Sequence, residues 1–111
     1  MMDQGKKYLA DILQAIDLIE SFTSDISKFE DYIADLKTQS AVERQLGIIG
    51  EAVNKFEKIF PDSVLVNARK IVGFRNRLIH AYDTLDPSII WVILKKHLNP
   101  LKKEITGKLK K

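Results

Sequence analysis

The sequence predicts an all-α fold, an up-and-down four-helix bundle with one extra short helix. Three observations predict it. Apolar residues recur at helical spacing along almost the whole chain, Pro and Gly are scarce, and no segment has the pattern of a strand or a repeat. A chain of 111 residues is long enough for one packed core and too short for two, so residues 1–111 form a single domain.

The first 63 residues predict two long helices with a shorter, weaker one between them. We expect the first helix over residues 4–23, the short segment over residues 26–36, and the second long helix from Ser40 to the Pro61-Asp62 pair that ends it. Ser40 and Glu43 have the spacing of a capping box, in which each side chain bonds an orphan amide. The predicted apolar faces are Leu9, Ile12, Ile16 and Ile19, then Phe29, Tyr32 and Ile33, then Val42, Leu46, Ile49, Val53, Phe56 and Phe60.

The second half predicts two further helices. One begins near Ser63 and carries Ile71, Phe74 and Leu78 inward. The next begins at Asp86-Pro87, an N-cap acid followed by the residue that suits the first helical position. It continues through Ile90, Ile93 and Leu94, is interrupted before Pro100, and resumes with Leu101, Ile105 and Leu109.

Some apolar residues lie outside these main stripes, which predicts a homodimer. The first helix has Tyr8, Leu13, Leu18 and Phe22 beyond its stripe, and Trp91 follows the apolar pair Ile89-Ile90. The alternative is that the short segment around Phe29 covers this extra apolar width.

Composition and charge limit the class of protein. The chain has no Cys, which excludes a disulfide scaffold and fits a reducing cytoplasm, and we expect neither a signal peptide nor a membrane span at its N-terminus. The net charge of +3 is unevenly spread: residues 1–63 carry seven Lys/Arg and twelve Asp/Glu, and residues 64–111 carry eleven Lys/Arg and three Asp/Glu. A basic C-terminal half favours a polyanionic ligand, with nucleic acid first.

The octapeptide of residues 75–82, RNRLIHAY, concentrates the polar chemistry of the chain. Arg75 can bind a phosphate and stabilise its developing charge, and His80 can move protons near neutral pH. Asn76, one helical turn before His80, can orient the imidazole or hold a phosphate oxygen. These groups suffice for attack of a ribose 2′-hydroxyl on its own phosphate, so Arg75 and His80 are the candidate catalytic residues, with no metal and no cofactor.

Helical geometry complicates this assignment. Arg75 and His80 are separated by about 140° around a regular helix, so one helix does not aim both at one phosphate. Either the helix unwinds before His80, or two copies of the segment complete each other's site. The structural alternative is that His80 caps a helix C-terminus and Tyr82 lies at the edge of the core.

Further motifs extend the octapeptide into a family resemblance. The sequence resembles the HEPN superfamily, specifically the HepT-like ribonuclease toxins, over residues 42–94. The matching residues are Arg44-Gln-Leu46, Ile49-Gly-Glu-Ala52, residues 73–82 (GFRNRLIHAY), and Asp86 followed by Ile90-Trp91. The order and spacing of the motifs are much more specific than the arginine–histidine string alone.

This resemblance implies an all-α homodimer whose two motifs line one cleft, and a metal-independent endoribonuclease that acts on tRNA and other cellular RNA. It further implies the toxin of a type VII toxin–antitoxin system. The partner would be an MntA-like nucleotidyltransferase antitoxin that transfers AMP from ATP onto Tyr82. A modified Tyr82 would place phosphate charge beside Arg75 and Arg77, a candidate RNA contact, and so repel the RNA backbone.

Three matters stay open on the sequence. The chain could be a non-catalytic adaptor that binds a nucleotide or a nucleotidyltransferase, or a plain structural bundle. Arg44 and Glu51, seven residues apart on one helical face, could support the cleft or belong to an ordinary surface ion pair network; alternatively, Gly50 allows a close helix approach with Glu51 beside it. The lysine-rich C-terminus could contact RNA or be a solvated face.

Overall fold

The computed structural model describes residues 3–73 and 86–110, and every regular element in those ranges is helical. The predicted all-α bundle is confirmed. None of the described helices is long and apolar enough to cross a membrane. The elements in chain order are α1 (Asp3–Phe22), α2 (Phe29–Ala34), α3 (Leu36–Ile59), α4 (described over residues 66–73), α5 (Pro87–Val92), a π-helical turn (Ile93–His97) and α6 (Leu98–Leu109).

The core is built on the packing of α1 against α3, with α6 on another side of α1. The predicted apolar stripes of both long helices are buried, with the exception of Phe60, which is partly buried. Ile71 in α4, Ile90 in α5, and Leu101 and Ile105 in α6 complete the same core. Burial of one face per helix is what the spacing of three and four residues predicts.

The start of α3 differs from the prediction. The helix begins at Leu36, and its N-cap is Asp35, whose carboxylate accepts hydrogen bonds from the amide (3.0 Å) and the hydroxyl (2.6 Å) of Thr38. Ser40 and Glu43 therefore lie inside the helix and do not form its capping box. The carboxylate of Asp35 caps the helix because it accepts hydrogen bonds from two donors of Thr38 at once. These bonds lower the pKa of Asp35, and the bond from the hydroxyl has the larger effect.

The interruption predicted before Pro100 is a widened turn rather than a break. The amide of Leu98 bonds the carbonyl of Ile93, five residues back, and Pro100 lies inside α6. Pro has no amide proton, and its ring would clash with the carbonyl four residues earlier in a regular helix. The π turn places the extra residue just ahead of Pro100, which lets the helical rod continue from Pro87 to Leu109.

The apolar residues outside the main stripes of the helices are covered in one place and exposed in another. Trp91 is covered from within the chain, with its ring 6.0 Å from that of Phe29 and 5.7 Å from that of Tyr32. The predicted role of the short segment as a cover is therefore confirmed for Trp91. Leu18 and Phe22 on α1 each remain 36% exposed, and they are the part of this surface left for another partner.

Candidate functional site

The predicted site residues lie in the segment between α4 and α5. Arg75, Asn76, Arg77, His80 and Tyr82 are all outside the described residues. The structure describes how the chain enters this segment through α4, how it leaves through α5, and what surface lies beside it.

The entrance is held by a carboxylate from the far end of the chain. Glu104 of α6 accepts hydrogen bonds from the amides of Val66 (2.8 Å), Asn67 (3.1 Å) and Ala68 (3.4 Å). The first bond within α4 runs from the amide of Arg69 to the carbonyl at position 65, so these three amides are ones that the helix itself cannot satisfy. Leucine at position 65 has no side-chain acceptor. Glu104 therefore supplies the cap that the local sequence lacks, and it fixes α4 against α6.

The start of α4 corrects a second prediction. The helix was expected to begin near Ser63, but residue 66 is its first helical residue. Ser63 instead belongs to the turn after α3: its amide bonds the carbonyl of Phe60, and its hydroxyl accepts a hydrogen bond from Lys108. The serine is used to connect the turn to α6 and is not the helix cap.

The exit from the segment is capped as the sequence predicts. The carboxylate of Asp86 accepts from the hydroxyl (2.8 Å) and the amide (2.9 Å) of Ser88, and Pro87 occupies the first turn of α5. Hydrogen bonding from Ser88, the hydroxyl first, lowers the pKa of Asp86. The chain therefore has a capped helix on each side of the octapeptide.

An open groove of about 550 Å³ runs along α3 beside this entrance. We call it the α3 groove. Its polar lining is Glu43, Arg44, Glu51 and Asn54, and Val72 of α4 closes one side. Gly50 is buried at its lining, and a β-carbon there would meet Val72 Cγ2 at 4.0 Å, an ordinary contact. Glycine at position 50 is therefore not forced by close packing against Val72.

Arg44 and Glu51 share one face of α3, as their spacing predicts. Both side chains are exposed and both line the α3 groove. Within the described part of the chain no ion pair involves either residue. The interpretation of these residues as a surface ion pair is therefore not supported, and both charges are available to groups that enter the groove.

A smaller hollow of about 240 Å³ adjoins the groove and shares Asn54 and Val72 with it. Gly73 also lines this hollow, and it is the last described residue before the octapeptide. Arg69 also lines it and donates to Glu57 at 3.1 Å. The surface beside α3 is thus recessed up to the point at which the chain enters the octapeptide.

Burial shapes the electrostatics at the other end of the groove. Desolvation raises the pKa of Glu43, and burial, followed by the charge of Glu43, raises the pKa of Tyr32. The Tyr32 hydroxyl is buried and has no hydrogen-bond partner among the described residues. Glu43 was predicted as part of a helix cap, and the structure instead places it, partly buried, in the lining of the α3 groove.

The comparison with protein families extends beyond the octapeptide to most of the chain. The family described as Ribonuclease HepT-like matches residues 12–106. The chain belongs to this HepT-like ribonuclease family. The matched range includes the α3 groove, the entrance and exit helices, and all five predicted site residues, so the predicted family is confirmed.

Curated relatives of this HepT-like chain agree over nearly their full lengths. A Probable ribonuclease HepT of Thermococcus cleftensis is 43% identical over 106 residues, covering 92% of this chain and 93% of the relative. A Putative RNase of Methanocaldococcus jannaschii is 38% identical, covering 90% and 92%. A Putative RNase of Caldanaerobacter subterraneus is 35% identical, covering 99% and 98%. No solved structure matches the chain significantly.

Family membership confirms the predicted enzyme class, a ribonuclease. The sequence alone missed two groups that shape the site region. Glu104 was not identified as a site residue. It is the single acid among residues 87–111, and an isolated acid in a basic segment could have indicated a specific structural role. Asn54 was also missed, because an exposed amide on a long helix has no distinguishing pattern.

Proposed function

We propose that this chain is the toxin of a type VII toxin–antitoxin pair. It acts in the cytoplasm as a homodimeric, metal-independent endoribonuclease on cellular RNA, tRNA included. The observation that carries the proposal is the family match over residues 12–106 together with the complete string Arg75, Asn76, His80 and Tyr82 within it.

The chemistry assigns one role to each group. Arg75 binds the scissile phosphate with its planar fork of donors and stabilises the charge that develops there. His80 removes the 2′-hydroxyl proton or protonates the leaving 5′-oxygen. Asn76 orients the imidazole, and Arg77 contacts the RNA backbone. The products are a 2′,3′-cyclic phosphate and a 5′-hydroxyl end.

The α3 groove supports a site that extends beyond the octapeptide. It adjoins the last described turn of α4, and its Arg44 and Glu51 have no ion-pair partner in the described chain. Arg44 adds positive charge along the path of the RNA, and Glu51 orients Arg75 or His80. Both are positioning or binding groups and neither takes part in proton transfer.

A dimer resolves the angular problem in the octapeptide. With about 140° between Arg75 and His80 on a regular helix, a second copy can supply the missing group. Leu18 and Phe22, apolar and partly exposed on α1, support the existence of a further interface. The dimer is thus part of the catalytic proposal.

Regulation is proposed at Tyr82. The cognate nucleotidyltransferase joins the phenolic oxygen of Tyr82 to the α-phosphorus of ATP, pyrophosphate leaves, and the phenolic proton passes to solvent. Repetition on the bound AMP would lengthen the modification. The added phosphate charge lies beside Arg75 and Arg77 and excludes the RNA backbone.

The test is cleavage of total tRNA in EDTA by the full-length protein, with the new 3′ ends analysed. We expect the wild type to leave 2′,3′-cyclic phosphates and His80→Ala to be inactive. His97→Gln is the matched control because His97 is the other histidine of the chain, is half-buried in the π turn and is not one of the predicted site residues. Equal cleavage by wild type and His80→Ala would contradict the proposal.

Absence of cleavage by every variant requires one further measurement, the intact mass of the wild type. A mass raised by one or more AMP groups, followed by cleavage after their removal, would support the proposal. An unmodified mass with no cleavage would overturn it in favour of a non-catalytic adaptor that binds a nucleotidyltransferase.

A further inference from the structure

One side of the C-terminal helical rod carries three lysines at a regular spacing. Lys96 lies in the π turn, Lys103 in α6, and Lys110 directly after it, and all three are exposed. Positions seven residues apart on a helix drift by only about 20°, so Lys103 and Lys110 share a face with Lys96 close to it. We call these three residues the lysine face.

The charges of the lysine face are not compensated within the described chain. Neighbouring lysines are occupied: Lys102 binds Glu20 at 2.7 Å and Asp17 at 3.3 Å, and Lys108 donates to a serine hydroxyl. The ammonium of Lys95 lies 4.5 Å from the centre of the Trp91 ring. None of the lysine-face residues takes part in an ion pair there.

Acids that could have neutralised this face are used elsewhere. Residues 86–110 contain two acids, Asp86 and Glu104. Asp86 caps α5, and Glu104 caps α4. The three positive charges of the lysine face therefore extend along about 21 Å of helix, at 1.5 Å per residue, with no carboxylate partner in the described chain.

We infer that the lysine face binds the phosphate backbone of substrate RNA outside the cleavage site. The inference rests on the proposed function. The rod begins at Pro87, five residues after Tyr82, and counted from its N-cap Asp86 at 1.5 Å per residue Lys96 lies about 15 Å and Lys110 about 36 Å away along the helix axis.

Lysine suits this role because it is a flexible point charge that meets phosphates without reading bases. Contacts at this distance can engage only an RNA that extends well beyond the cleaved bond. The lysine face therefore favours long, folded RNAs over short oligonucleotides, and it sets substrate length rather than sequence preference.

The experiment uses full-length protein and RNA that cannot be cut, because its 2′-oxygens are methylated. Two probes of one sequence are compared, one of about 30 nucleotides and one of about six, at several salt concentrations. The test variant is Lys96→Gln/Lys103→Gln/Lys110→Gln. The control, Lys6→Gln/Lys28→Gln/Lys37→Gln, removes the same charge from exposed lysines of the N-terminal half that form no ion pair in the described chain. Melting curves verify that both fold.

We expect the test variant to bind the long probe at least tenfold more weakly than the wild type at about 0.1 M salt. The slope of log K against log salt for the long probe should also become shallower by about 2, at about 0.7 per lost phosphate contact. Its affinity for the short probe should be unchanged, and the control should bind both probes as wild type does. Equal losses in the two variants would overturn the inference, since net charge alone would explain them. So would unchanged RNA binding, including the case in which binding of the cognate nucleotidyltransferase is lost instead.

Cleavage of unmodified RNA is measured in parallel, so that the two proposals fail separately. A wild type of unmodified mass that binds both probes but cleaves no RNA contradicts the proposed function alone. A wild type that cleaves, with a lysine-face variant that binds the long probe normally, contradicts the lysine-face inference alone.

Discussion

Removal of the Glu104 carboxylate should destabilise the fold at the helix that leads into the octapeptide. The side chain bonds the amides of Val66, Asn67 and Ala68 at 2.8, 3.1 and 3.4 Å. In Glu104→Ala these amides lose their acceptor, and the N-terminal end of α4 loses a favourable negative charge. Leu65, at the N-cap position, has no side-chain acceptor that could replace the carboxylate.

The expected magnitude follows from the geometry. Loss of a helix N-cap costs about 0.5–2 kcal/mol, and a hydrogen bond to a charged group contributes about 1.5–3 kcal/mol. The three bonds share one partly exposed carboxylate, and water reaches the freed amides, so these values do not add. We expect about 2 kcal/mol of lost unfolding free energy. Unfolding entropy of about 2.1 cal/mol/K per residue converts this to a fall in Tm of about 8 °C.

Thermal unfolding at one fixed protein concentration measures this loss. Glu104→Gln keeps an acceptor oxygen but not the charge, and it should lose about half as much, roughly 1 kcal/mol. Glu30→Ala is the control, an exposed acid of α2, where a surface substitution should change stability by at most about 0.5 kcal/mol. If Glu104→Ala melts within 2 °C of Glu30→Ala, the three bonds do not hold α4 and the reasoning is refuted.

The remaining predictions concern pH, a buried hydroxyl and the groove. The pKa values of Asp35 and Asp86 are lowered in the folded protein, so both carboxylates contribute to stability above the ordinary aspartate pKa. This contribution is lost as the pH falls through the folded pKa. The Tm of Asp35→Asn/Asp86→Asn should therefore fall less than that of the wild type between pH 5 and pH 2.5. Tyr32→Phe removes a buried hydroxyl that has no hydrogen-bond partner among the described residues, and it should raise Tm by about 4 °C, whereas Tyr8→Phe should not. Arg44→Ala should lower kcat/KM for tRNA about tenfold, 1.4 kcal/mol, without changing Tm; unchanged kcat/KM would remove the α3 groove from the site.

The sequence predicted the parts of the fold that depend on local pattern. Buried stripes such as Ile12–Ile16–Ile19 follow from helical periodicity, and the Asp86-Pro87 start of α5 follows from cap chemistry within two residues. Ser40 and Glu43 show the limit of such motifs. The Ser-x-x-Glu spacing of a capping box can also occur inside a helix. Here the carboxylate of Asp35, five residues before Ser40, caps the helix instead.

Contacts between distant parts of the chain were not predictable in this way. The bonds from Glu104 to α4 join positions 36 to 38 residues apart, and the ring contacts of Trp91 join it to α2. Periodicity places a residue on a face but not opposite a given partner. The candidate site is a different case: Arg75 and His80 were predicted from residue type, spacing and a family resemblance, and because they lie outside the described residues they stay a prediction.

The scarcity of acids in the C-terminal half connects the fold to the proposed RNA binding. Residues 64–111 contain three acids, and Asp86 and Glu104 both cap helices that flank the octapeptide. A carboxylate that caps a helix is directed at backbone amides and does not neutralise a neighbouring lysine. The same two residues therefore cap the helices on each side of the octapeptide, and the lysine face has no carboxylate partner among the described residues. Substitutions that add an acid to the lysine face, such as Lys103→Glu, should consequently weaken binding of long RNA while both helix caps and the Tm are preserved.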